Sequence, residues 1–137
     1  MAEVLLVMPQ FEEAKSVRNA LRNAGLLADC VSELTNASAI ADQFYDVVIF
    51  DWCEGARNWK QAVSAYRAAG GTAAIVALVK PNAAYRILAL EAGADDCIAK
   101  PTDDIRELHA RIRALLRRPR YVASAMPLHA NLAMMPR

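Results

Sequence analysis

The chain has 137 residues, 55% hydrophobic and 23% charged, with a formal net charge of +1. That is the size and make-up of one soluble globular domain, and so even a charge balance sets up no general field toward nucleic acid. No apolar run approaches the ~20 residues that cross a bilayer.

The start, Met1-Ala2-Glu3-Val4, lacks the basic stretch of a secretory signal. The cysteines Cys30, Cys53 and Cys97 show no CxxC spacing, which points to reduced thiols in a cytoplasmic protein and away from zinc. In chain order, Val4–Val7 reads as a short apolar strand. Residues 11–23 carry Ala14, Val17 and Leu21 at helical spacing, with Gly25 placed to close the helix. Residues 28–31 form a weak second strand. Residues 36–43 form a short helix, with Thr35 or Asn36 as its cap. Val47–Phe50 is a strand apolar on both faces. Residues 58–69 are helical, with Trp59, Ala62, Val63 and Tyr66 on one face and Gly70-Gly71 as the stop. Residues 74–79 are a second doubly buried strand. Residues 82–92 form a helix ended by Gly93, and residues 97–99 a short strand. Thr102 is placed to cap a last helix that runs to about Arg118, with Pro119 as its stop.

Five strands alternating with five helices predict an α/β fold, a parallel sheet covered on both faces and wound with right-handed crossovers. The flavodoxin-like doubly wound order 2-1-3-4-5 suits this pattern. Ligands and chemistry then sit beyond the carboxyl ends of the strands. Asp51 ends the third strand there, and Lys100 follows the fifth. One acid and one ammonium at neighbouring strand ends suit a phosphoryl-accepting or anion-sensing site. The loop from Met8 to Glu12 has no Ser/Thr/Gly pattern to cradle a phosphate, which argues against a flavin-type binder.

The run Arg86-Ile87-Leu88-Ala89-Leu90-Glu91-Ala92-Gly93-Ala94-Asp95-Asp96-Cys97-Ile98-Ala99-Lys100-Pro101 resembles the fourth helix and fifth strand of two-component response-regulator receiver domains. Glu107 to Arg118 resembles the fifth helix of the OmpR-type subfamily, which joins a receiver to a winged-helix DNA-binding domain. The resemblance implies a receiver over residues 1–119. Residues 120–137, with Met126, Pro127, Met134, Met135 and Pro136, then form a linker and the start of a truncated C-terminal DNA-binding domain. It also implies that Asp51 matches the aspartate phosphorylated by a histidine kinase, that Lys100 matches the family's lysine, and that Lys100-Pro101 carries a cis peptide bond.

Four pocket positions depart from the family. Met8 and Pro9 stand where two acids hold Mg²⁺, Val79 replaces a hydroxyl residue, and Cys97 replaces an aromatic. A thioether and a proline ring are poor magnesium ligands. The expectation is therefore weak or absent Mg²⁺ binding, no metal site and no other cofactor, with Asp51–Lys100 as a structural ion pair. Glu54 is a candidate substitute ligand, weighed against a solvated loop acid. Cys53 and Cys97 form a candidate thiol switch, weighed against plain buried thiols.

The same resemblance implies a homodimer through the fourth helix, fifth strand and fifth helix. Ile87 and Leu90 would form its apolar patch. Arg86, Glu91, Asp95, Asp96, Glu107, Arg111, Arg113 and Arg118 would form the charged ring, with Arg86–Glu107 and Asp96–Arg111 paired across the two-fold. His109 takes a patch position usually small and apolar, as a packed neutral residue or a pH-sensitive one. The expectation is thus an atypical, phosphorylation-independent receiver, not an enzyme and not membrane-bound, that dimerises to control an attached DNA-binding domain. The alternatives are a conventional kinase-driven phosphoacceptor and a stand-alone protein-interaction module.

Overall fold

Apolar stretches and their caps set the elements of the fold. A computed structural model describes residues 2–33, 37–52, 59–100 and 104–117. Chain order is β1 (Glu3–Val7), α1 (Phe11–Asn23), β2 (Leu27–Val31), α2 (Ala37–Asp42), β3 (Val47–Asp51), α3 (Trp59–Ala68), β4 (Ala74–Val79), α4 (Ala83–Glu91), β5 (Asp96–Ala99) and α5 (Ile105–Leu116). All neighbouring strands pair in parallel, in the order β2-β1-β3-β4-β5. The expected doubly wound topology is therefore the observed one.

Alternate strand residues feed two cores, as the pleat requires. Val4, Leu6, Val47, Ile49, Val76, Leu78 and Ile98 pack with Ala14, Val17 and Leu21 of α1 and Leu108, Ile112 and Leu115 of α5. Leu5, Val48, Phe50, Ile75, Ala77 and Val79 pack on the other side with Val63 and Tyr66 of α3 and Ala89 of α4. The spacings 14-17-21 and 108-112-115 each make one apolar stripe.

Gln10 caps α1, accepting from Glu12 N at 3.1 Å, and Asn82 caps α4, accepting from Ala84 N at 2.8 Å. The last helix corrects the sequence reading: Asp104 is its N-cap, accepting from Arg106 N at 3.0 Å. Thr102, the expected cap, lies outside the described residues, as do Thr35, Asn36 and Pro119. An aspartate at this position suits the positive end of a helix, and Arg106 closes over its second oxygen at 3.0 Å. Gly25 takes φ +93° and Gly93 φ +116° after α1 and α4, a region that L side chains rarely adopt. The strands β1, β2 and β5 each begin one residue earlier than the apolar runs suggest, because ladder pairing recruits the polar or exposed Glu3, Leu27 and Asp96. No helix among the described residues is long and apolar enough to cross a membrane.

Candidate functional site at the carboxyl rim of the sheet

Parallel pairing brings the ends of β1, β3, β4 and β5 to one rim. Asp51 is opposite Leu78, Trp52 N donates to Leu78 O at 2.8 Å, and Lys100 N donates to Val79 O at 2.7 Å. The sheet therefore fixes the backbone of both Asp51 and Lys100. Their side chains meet: Lys100 Nζ donates to Asp51 Oδ1 at 2.7 Å. A second acid joins them from the first turn of α1, Glu13 Oε1, 3.2 Å from the same ammonium.

The three side chains differ in depth. Asp51 is 2% exposed, Lys100 23% and Glu13 34%. Burial is the largest influence on Asp51 and pushes its carboxyl up; the hydrogen bond and charge of Lys100 oppose it, and the Glu13 charge adds to the rise. Burial pulls Lys100 down, but Asp51 and Glu13 together outweigh it and hold the ammonium above its ordinary value. The three groups thus form an ammonium gripped by two acids, one of them buried at a cost.

Of the four other pocket positions, Met8, Val79 and Cys97 are core. Met8 is 1% exposed and packs among Leu6, Leu78 and Ile98, while Pro9 is exposed. Val79 is fully buried. Cys97 is buried, its thiol 3.7 Å from Arg86 O, and burial followed by the Asp96 charge pushes the thiol up. A raised thiol is a weak nucleophile. Cys53 and Glu54 lie outside the described residues, as does the Lys100–Pro101 bond's proline.

Mg²⁺ asks for a near-octahedral set of oxygens. Here a buried thioether and a proline ring stand where the resemblance implies two acids, and the two carboxylates at the rim, Asp51 and Glu13, both contact the Lys100 ammonium. Among the described residues no three His, Cys, Asp or Glu cluster as a metal-holding group.

On the α4–β5–α5 side the structure brings most of the named residues onto neighbouring elements. Ile87 is 54% and Leu90 50% exposed, with Leu88 beside them. Helix α4 buries Ala89 fully and packs Tyr85 against the core, so Ile87, Leu88 and Leu90 are left outside. Arg86, Glu91, Glu107 and Arg113 are exposed, and His109 is half-buried. Within one chain Arg111 pairs with Asp96 Oδ2 at 3.2 Å and Glu107 Oε2 at 3.2 Å. Both are in reach, since Arg111 is one helical turn from Glu107 and faces the neighbouring β5. Asp95 is also engaged elsewhere, accepting from Ile75 N at 2.7 Å and pairing with Arg67 of α3 at 3.1 Å. Arg118 lies outside the described residues.

Sequence reasoning missed Glu13. A signal existed: α1 starts directly after β1, so its first-turn acids, Glu12 and Glu13, stand at the rim.

No protein-family model matches the chain. The chain is 32% identical over 118 residues to the transcriptional regulatory protein CpxR of Escherichia coli (strain K12), covering 86% of this chain and 50% of that protein. It spans about half the length of the curated relatives it matches. Its structure resembles a Francisella response-regulator receiver domain with a TM-score of 0.74 at 20% identity, over 85% of this chain and 98% of the other. It also resembles an atypical orphan response regulator, described as having a phosphorylation-independent regulatory mechanism, with a TM-score of 0.66 at 27% identity over 84% and 95% of the two chains. In strand order and in superposition the chain has the receiver fold of response regulators, and over that shared half its sequence is similar to transcriptional regulators.

Proposed function

We propose that this receiver works without an aspartyl-phosphate, as an assembly module that pairs with a second copy and controls a DNA-binding part in transcription. The observation that carries the reading is the closed Asp51–Lys100 pair, set against a Met8 that belongs to the core. Phosphoryl transfer relies on positive charge around the equatorial oxygens, supplied chiefly by metal ions. Each unit of uncompensated like charge at ~4 Å and an effective dielectric of ~20 costs about 4 kcal/mol. Lys100 offsets part of that, and Glu13 adds to it. The buried Val79 offers no hydroxyl to bond a phosphoryl oxygen. Magnesium binding is accordingly weak or absent in this reading.

Pairing runs through α4, β5 and α5, with Ile87 and Leu90 as the patch and Arg86, Glu91, Asp96, Glu107, Arg111 and Arg113 around it. Support comes from the exposed apolar side chains of α4 and the mixed charges around them. The CpxR likeness supports a role in transcription, and the orphan-regulator likeness supports independence from phosphorylation. DNA contact falls to a C-terminal domain beyond residue 119, in a cytoplasmic protein that is not an enzyme.

Sedimentation of the chain before and after acetyl phosphate with Mg²⁺ tests the reading. A dimer unchanged by the phosphodonor is expected. A monomer that pairs only after treatment favours a conventional kinase-driven receiver, a reading the juxtaposed Asp51 and Lys100 also permit.

A further inference from the structure

We propose that Lys100 is the resident cation of the rim pocket and that Glu13 is the positioning residue that keeps it there; this deepens, and rests on, the phosphorylation-independent reading. The end of β1 supplies no anion to the rim, since Met8 joins the core and Pro9 follows it. A second anion comes from a different element, the first turn of α1. Gln10 caps that helix and sets where its first turn stands. Glu13 then reaches the ammonium at 3.2 Å, opposite the 2.7 Å contact from Asp51.

The geometry shows why a second grip matters. The backbone of Lys100 is fixed by its bond to Val79 O, but four carbons of flexible stem separate that backbone from the charge. Asp51 alone offers one oxygen at the inner end of the pocket. Glu13 closes the outer side, so a swing of the ammonium into solvent breaks a contact at each end. The helix N-terminus favours the negative charge of Glu13 in that place. Two carboxylates on one compact cation is the arrangement a metal ion would otherwise provide, and here the cation is covalently part of the chain. Glu12, the neighbouring acid, is exposed in the same helical turn and serves as its natural control.

The test is pulse acetylation of the full chain by limiting acetic anhydride, read lysine by lysine by peptide mass spectrometry. Lys15, Lys60 and Lys80 are the other lysines and act as internal references. In Glu13→Gln, Lys100 should react about two- to fivefold faster, the range a part-exposed ion pair supplies, with the references unchanged. Asp51→Asn should also accelerate Lys100, and Glu12→Gln should not. Equal Lys100 rates in the wild type and Glu13→Gln overturn the proposal, as does equal acceleration in Glu12→Gln. Circular dichroism checks that each variant is folded. A parallel incubation of the wild type with acetyl phosphate and Mg²⁺ separates the two readings. A stable aspartyl-phosphate alongside the labelling contrast removes the phosphorylation-independent reading and leaves the Glu13 clamp. No adduct and no contrast does the reverse.

Discussion

Lys100 and Asp51 share one 2.7 Å contact unequally: the lysine side chain keeps 23% of its surface in solvent and the aspartate 2%. Removing either partner therefore strands a different charge. Lys100→Met leaves a carboxylate buried and unpaired, and is expected to cost about 3–5 kcal/mol of stability. Asp51→Asn leaves an ammonium that still has Glu13 and water, and is expected to melt at or above the wild type near neutral pH. Chemical unfolding of both variants measures the asymmetry. Equal losses would mean that the pair is as wet as a surface bridge.

The pH dependence follows from the same two groups. The folded Asp51 carboxyl lies above its ordinary value of 3.8, with burial as the first cause. The fold thus takes up that proton more readily than the unfolded chain, and the stability Asp51 contributes falls as pH rises from the ordinary value through the raised one. Lys100 is also raised, since Asp51 and Glu13 outweigh its burial. Its contribution is complete below the ordinary ammonium value of 10.5 and is lost as pH climbs through the raised one. Melting temperatures of Asp51→Asn minus the wild type should therefore shift in the variant's favour as pH rises from the ordinary value of 3.8 through the raised one. A difference that stays flat over that window would mean Asp51 titrates as an exposed acid.

Arg111 joins Asp96 and Glu107 in one chain, and its side chain is 42% exposed. Exposed pairs of this kind contribute little, so Arg111→Ala is expected to lower stability by no more than about 1 kcal/mol. Its effect on self-association should be larger and should weaken with salt. Equilibrium unfolding and sedimentation on the same variant compare the two.

Ile87 gives the sharper probe of the α4 surface, because it is exposed and adds nothing to the core. Ile87→Glu should change stability by less than about 0.5 kcal/mol, as surface substitutions do. It should convert the dimer proposed above to monomer in sedimentation. A variant that still pairs would move the contact to another face.

Gly71 is set by packing and needs no unusual φ. A Cβ there would fall inside contact distance of the ring of Tyr66, which is 1% exposed and whose hydroxyl accepts from Ala73 N at 3.1 Å. Gly71→Ala is expected to cost about 1–3 kcal/mol by overpacking, seen as a lower urea midpoint with an unchanged slope. In a Tyr66→Ala background that cost should largely vanish.

Much of this molecule was readable from residue order. Apolar runs at Val47–Phe50 and Ala74–Val79 announce strands covered on both faces, and their alternation with amphipathic stretches restricts the sheet to a parallel, doubly wound one. That topology brings the ends of β3 and β5 together, so Asp51 and Lys100 could be named as partners from their places in the chain. Such patterns are legible because burial and period act on each segment locally. The rest needed the folded chain. Glu13 reaches Lys100, Arg111 spends its charge on Asp96 and Glu107 in its own chain, and Asp95 turns to Arg67. The sign of the Asp51 shift also depends on how deeply the fold buries it. Each is a matter of a few ångströms between elements distant in sequence, fixed by packing and side-chain reach, and periodicity carries no record of either.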